Sequence, residues 1–239
     1  MNDVESGPAV HQSLPSPSTR RRRRAGAALI AGSGVFFTAE FVAAAAWSDP
    51  PYSYTHHFIS NLGVHGPTTA FGQFMYSPLA WVMNTGFVLF GLITLVGAVA
   101  LGPLPGLRRL LAVATATMLA AGGVLLGFFP GSGETPEGGA PDFHGIGAFL
   151  AFIGGNVLAI LLGGSHGRLG FPRGLGRALV AAGIVGLVSI PAYLAVLDSG
   201  AGVLIGLVER GVVYPFLIGF IVLGAALRKR GVTDDEVRR

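Results

Sequence analysis

Six runs of about twenty apolar residues, separated by short polar segments, constrain this chain more than any other feature, because that length spans a hydrocarbon core of about 30 Å as a helix. The runs are 25–47, 76–101, 107–129, 143–162, 175–197 and 201–227. In lipid no water is at hand for an open sheet edge, so backbone N–H and C=O groups must be satisfied within each segment and the runs are expected to be helices. The sequence therefore predicts an all-α, polytopic integral membrane protein, a six-transmembrane-helix bundle. A polar stretch with an arginine cluster (1–24) precedes the membrane domain (25–227), and a second polar tail (228–239) follows it. Pro78 suits the first turn of the second run, and Pro191 is expected to kink the fifth or set its outer end.

Composition agrees. Only 12% of residues are charged against 51% hydrophobic, and Gly, at 38 copies, supplies the small surfaces on which membrane helices pack closely. There is no Cys, which excludes disulfides, thiolate metal ligands and a Cys nucleophile. The 1–19 segment, with Pro15, Pro17, Ser13, Ser16 and Ser18, reads as a disordered tail. The run after Arg20–Arg24 is too long for a typical signal peptide and reads as a retained first span.

The 16 Lys and Arg residues orient the bundle. Arg20–Arg24 precede the first span. Arg108 and Arg109 lie between the second and third, and Arg168, Arg173 and Arg177 between the fourth and fifth. Arg228, Lys229, Arg230, Arg238 and Arg239 follow the sixth. With six spans these regions share one side, which the positive-inside rule makes cytoplasmic, so both termini are expected to be cytoplasmic. This distribution also accounts for the basic balance of the chain, so no nucleic-acid partner is expected.

The opposite, outer loops carry no Lys or Arg. The first, 48–75, holds Tyr52, Tyr54, His56, His57, Asn61 and His65, and its Phe58, Ile59 and Leu62, interrupted by Ser60 and Asn61, form a short amphipathic element that lies on the membrane or dips between spans. Gly66-Pro67 reads as a turn. The second outer loop, 130–142, holds Glu134, Glu137 and Asp142, with His144 just beyond. Asp142 is well placed to cap the fourth helix. Trp47, Tyr52, Tyr54 and Trp81 read as interfacial anchors.

Arg210 is the one basic residue deep inside an apolar run rather than at its end, and Glu209 is its neighbour. At 1.5 Å per residue, Glu40, Asn84, Glu209 and Arg210 lie about 9–14 Å below the outer ends of their spans, with Asn156 deeper at about 18 Å. A charge facing lipid there costs several kcal/mol, so the five are expected to point inward and line one cavity. Adjacent Glu209 and Arg210 diverge by about 100° on a helix, which makes Glu40 the better partner for Arg210. A swap of the two charges would then restore what each single reversal damages. Asn84 and Asn156 serve equally well as glue that fixes helix register, and the charged group itself can be a packing device.

The outer residues His56, His57, Ser60, Asn61, Asp142 and His144 are candidates for the mouth of that cavity. His and carboxylate side chains suit zinc, but no His-Glu-x-x-His spacing is present and adjacent His56 and His57 do not easily share one ion, so no metal and no cofactor is expected. No phosphate-binding Gly-x-x-x-x-Gly-Lys pattern occurs either.

The chain resembles a bacterial and archaeal membrane family known as the domain-of-unknown-function family numbered 998. The resemblance rests on His57 to Gly63 (HFISNLG), Asn84, Gly127 to Pro130 (GFFP) followed by His144 to Gly147 (HGIG), and Gly206 to Arg210 (GLVER). It implies a multi-span protein of about this length, with Ser60, Asn61, His144, Glu209 and Arg210 as signature residues, and implies no activity.

Three functions fit these features. The first is a binding or transport-like protein holding a lipid headgroup or small polar ligand, with Arg210 meeting an anion and Glu40 or Glu209 a cation. The second is an intramembrane enzyme acting on a lipid or lipid-linked substrate, with Glu209 or Glu40 as acid/base assisted by His144. The third is an accessory subunit whose small-residue faces bind a membrane-protein partner. Membrane lipids are expected partners in every case. The two three-span halves carry unmatched polar residues, which disfavours a repeat-based transporter.

Overall fold

The computed structural model describes residues 16–70, 72–102, 104–131, 141–200 and 204–236, with side chains other than that of Ala70 through Lys229. Seven helices and one small hairpin make up the described residues: α1 (Pro17–Ala46), β1 (Thr68–Ala70), β2 (Gln73–Met75), α2 (Ala80–Ala100), α3 (Gly106–Phe128), α4 (Phe143–Gly164), the single-turn α5 (His166–Leu169), α6 (Arg173–Asp198) and α7 (Ile205–Glu236). A 3₁₀ turn, Ser60–Gly63, precedes the hairpin. All helices but α5 are long and apolar enough to cross a membrane, as expected for a multi-pass membrane protein. The expected segments 1–15, Glu134, Glu137, Arg238 and Arg239 lie outside the described residues.

Element ends depart from the hydropathy-based boundaries where polar residues continue a helix. α1 begins at Pro17, capped by the Ser16 side chain on the Thr19 N–H at 3.2 Å, so Arg20–Arg24 are helical. A capped first turn and good helix-forming arginines outweigh their lack of hydropathy. α7 likewise runs on past the apolar segment to Glu236. α6 carries Pro191 in its interior and α7 carries Pro215, so neither proline ends its helix. The hairpin, paired Thr68 to Met75 and Thr69 to Phe74, is the non-helical element that the all-helix expectation did not contain. It sits in the long connection, where water and protein satisfy its backbone.

The six long helices close into a ring in the order α1, α2, α3, α4, α6, α7 and back to α1, with α4 also touching α7 across the middle. Small residues allow this. Gly26 of α1 meets the Gly224 carbonyl of α7 so closely that a side-chain carbon at 26 would overlap it. The same contact puts the start of α1 beside the end of α7, and Gly102 beside Arg21 adds the end of α2. The described basic residues other than Arg210 therefore gather at one end, the basic end. The other end, the loop end, holds the 47–79 connection. There Phe58, Ile59 and Leu62 are buried, so the amphipathic element dips into the bundle rather than lying on it.

Candidate functional site

The ionisable residues of the apolar runs meet just beneath the loop end. Glu40 of α1 is fully buried and Arg210 of α7 is 5% exposed. Arg210 donates to Glu40 Oε1 from Nε at 3.1 Å and from Nη2 at 2.8 Å. Its Nη1 faces three carbonyls, Tyr54 at 2.6 Å, Gly206 at 2.9 Å and His57 at 3.2 Å, and Nη2 also reaches Tyr52 Oη at 2.7 Å. A guanidinium has five N–H donors, and here every nitrogen is engaged. Its plane also lies against the Tyr54 ring, with Cζ 4.8 Å from the centroid. Tyr214, one turn after Arg210, donates to both Glu40 oxygens at 2.9 and 3.0 Å.

Arg210 is thus both the ion-pair partner of Glu40 and the anchor of the 52–58 segment. Tyr52 passes the connection on, donating from Oη to the Phe58 carbonyl at 2.8 Å. Burial holds the Tyr52 phenol above its ordinary range, so it stays protonated and able to donate. Gly206 makes room for the anchor. A Cβ there would run into the carbonyls of His57 and Tyr54, while the Gly206 N–H at the head of α7 donates to the Thr55 carbonyl at 3.0 Å.

Glu209 points elsewhere, as adjacent helical residues must. Glu209 is 5% exposed, and its carboxylate accepts the backbone N–H of Ile59, with the Ser60 amide next to it. It lines a narrow cavity of about 40 Å³ that is walled by all six long helices and the Ile59-Ser60 backbone. Around it the polar lining is Ser60, His144 and Tyr193, and the rest is apolar. The apolar part is aromatic: Phe36 packs edge-on against Phe90 at 5.5 Å, and Phe90 stacks on Phe216 at 6.2 Å. His144 Nδ1 lies 2.9 Å from the Phe129 carbonyl. A carbonyl only accepts, so Nδ1 carries the proton and Nε2 of the neutral ring is left as an acceptor.

The five intramembrane candidates therefore divide rather than line one cavity. Glu209 faces the cavity, while Glu40 and Arg210 form the adjoining ion pair. Asn84 donates to the Gly63 carbonyl at 3.0 Å and pins the 3₁₀ turn to α2. Asn156 donates to the Phe152 and Val212 carbonyls at 2.9 and 3.0 Å, joining α4 to α7 over the gap left by Gly186 of α6. Both asparagines hold helices and loop in register and take no part in the cavity wall.

The outer-mouth candidates also separate. Ser60 and His144 reach the cavity. Asp142 caps α4 by accepting from the Gly145 N–H at 2.9 Å. Asn61 donates to Gln73 Oε1 at 2.8 Å, and Gln73 donates to the His56 carbonyl, so the hairpin clips the loop. His56 Nδ1 lies 3.1 Å from Ser53 Oγ, and His57 Nδ1 accepts the Ser53 N–H at 2.9 Å. Burial and the neighbouring His56 hold His57 below the usual imidazole range. Among the described residues no three His, Asp or Glu side chains group as metal ligands.

Reading the residue types alone misses Tyr52, Tyr54, Tyr193, Tyr214, Gln73 and Gly206. Tyr52 was expected as an interfacial anchor and instead serves Arg210, while Trp47 is 3% exposed and stacks on His57 at 5.3 Å. Trp81, at 67% exposure, has the open position expected of an anchor, and Tyr54 is exposed as well while its ring covers Arg210. Tyr214 had a signal, its i+4 spacing from Arg210, which puts both on one helix face.

The stretches that carry the family resemblance thus converge on one place, the cavity and the loop that covers it. No curated protein and no solved structure matches the chain. A family model described as protein of unknown function (DUF998) matches residues 30–226, and the chain belongs to that family.

Proposed function

We propose that the chain spans the cell membrane six times with both termini cytoplasmic, and that it holds one lipid-like amphiphile in the Glu209 cavity, which opens toward the outer face. The uneven placement of Lys and Arg supports the orientation. One observation carries the binding reading: a buried carboxylate stands, with Ser60, His144 and Tyr193, in a cavity whose remaining wall is apolar and rich in Phe rings. A cavity of that composition and of about 40 Å³ matches the small polar head of an amphiphile, whose apolar tail leaves along the Phe rings through the open side. Glu40, Arg210 and the tyrosines hold the loop that roofs it.

The test is recovery of bound lipid. Protein extracted from its native membrane in mild detergent is weighed intact by native mass spectrometry. One amphiphile per chain is expected on the wild type. Ala148→Phe, which fills the cavity from α4, is expected to remove it. Equal lipid content in the two proteins would sink the reading.

A second reading, an intramembrane enzyme acting on the bound lipid, is favoured by the His144 tautomer. Its free Nε2 and the Glu209 carboxylate give one cavity a base and a group able to hold a proton. Under that reading purified protein converts the co-purified lipid on incubation and His144→Gln stops the conversion. Under the binding reading its mass stays constant.

A further inference from the structure

We infer that the head of the bound amphiphile is a protonated amine, and that Glu209 is the group that holds it. This rests on the cavity reading above and narrows it to a chemical class.

An anionic head, such as a phosphate or carboxylate, needs a cation or several free N–H donors in the cavity wall. Arg210 is the cation nearest to hand, and its guanidinium is spent on Glu40, Tyr52 and three carbonyls. No Lys or Arg is among the described residues that line the cavity.

Two carboxylates, Glu40 and Glu209, and one guanidinium are buried at this level. Glu40 is offset by direct contact with Arg210 at 2.8 Å. Among the described residues no cation lies within ion-pairing distance of Glu209, whose contacts are the amides of Ile59 and Ser60. A carboxylate in an apolar bundle is costly unless paired, and a ligand ammonium supplies the missing charge.

Hydrogen-bond polarity favours the same head. Glu209 accepts, and Nε2 of His144 accepts because Nδ1–H is committed to Phe129. Ser60 and Tyr193 hydroxyls have lone pairs to add. An ammonium carries donors alone, so every polar group of this wall can accept from it, whereas a phosphate would find only the two hydroxyls able to donate and would set its oxygens against Glu209 and Nε2. The Phe rings that continue the cavity suit both the tail and the positive edge of the head.

The experiment uses the full chain in lipid nanodiscs and three probes with the same twelve-carbon tail: dodecylamine, dodecanol and dodecyl phosphate. Binding is read by native mass spectrometry against wild type, Glu209→Gln and Ala148→Phe. Glu209→Gln keeps the shape of the side chain and an oxygen for the Ile59 amide, so the roof stays in place. The wild type is expected to take one dodecylamine at least tenfold more tightly than either other probe. Glu209→Gln is expected to lose that preference, and Ala148→Phe to lose binding of all three. If dodecanol or dodecyl phosphate binds the wild type as tightly as the amine, or if the amine preference survives Glu209→Gln, the amine assignment is wrong while the cavity reading stands. If Ala148→Phe leaves all binding unchanged, the cavity reading itself fails.

Discussion

Exchanging the charges of Glu40 and Arg210 would restore a simple ion pair, and the structure predicts that it does not restore this protein. Removing one member of a buried pair costs about 3–5 kcal/mol, because the other charge is left in an apolar setting. Were the pair all that mattered, the double variant Glu40→Arg with Arg210→Glu would recover most of that. Arg210, however, also donates to the Tyr54 and His57 carbonyls of the loop at 2.6 and 3.2 Å. Hydrogen bonds to a charged group are worth about 1.5–3 kcal/mol each, so the two together contribute roughly 3–6 kcal/mol that no residue at position 40 can replace. A carboxylate at 210 would moreover face carbonyl oxygens. The swapped protein is therefore expected to stay at least roughly 3 kcal/mol below wild type. Unfolding by SDS in mixed micelles measures the stability, and hydrogen exchange over residues 52–63 reports the loop. Arg210→Lys serves as the companion, keeping the charge with three donors in place of five, and is expected to hold α1 against α7 while loosening the loop. Recovery of wild-type stability and loop protection by the swapped pair would refute the reasoning, and would mean that Arg210 acts through its charge alone.

Other consequences are narrower. Tyr214→Phe removes both hydroxyl contacts to Glu40 and is expected to cost about 1.5–3 kcal/mol in the same unfolding assay. Asn156→Ala breaks the α4–α7 tie and is expected to cost about 1 kcal/mol, the usual scale for a hydrogen bond between membrane helices, without changing amphiphile binding. Asp142→Ala is expected to cost about 1 kcal/mol and to speed hydrogen exchange in the first turn of α4 only. His57 titrates below its unfolded value, so between the two values the unfolded chain binds more protons; the stability it gives the loop is full above about pH 6.5 and falls as pH drops below that. Trp47, stacked on His57, reports this directly: in a Trp81→Phe background its emission is expected to change with a midpoint below pH 6.5, and His57→Asn should abolish the change.

The six helices were readable because hydropathy is a sum over twenty residues and no local detail upsets it. Their ends were not, since Arg20–Arg24 are good helix formers that hydropathy scores as loop. The Glu40–Arg210 pair was readable from matching depth alone, because lipid leaves a buried charge few other places to go. The division of Glu209 from Arg210 follows from helix geometry, yet the expectation of a single shared cavity ignored how many donors a guanidinium has to satisfy. Those donors go to backbone carbonyls of Tyr54 and His57, and carbonyls have no signature in a sequence. The hairpin of β1 and β2 is only three residues on each side, too short for an alternating pattern to stand out.

The ring closes between its first helix and its last, and this sets an order for synthesis. Glu40 and its cation are separated by 170 positions in the chain. At about 5–20 residues per second, roughly 10–30 s pass between the emergence of the carboxylate from the ribosome and that of the arginine. During that interval α1 is in the translocon or the bilayer with an acid and no counter-charge. A proton on Glu40 or the shelter of an insertase must carry it through, and the arrival of α7 then releases it to the fold. The charge that the first helix brings into the bundle is thus answered only by a residue of the last.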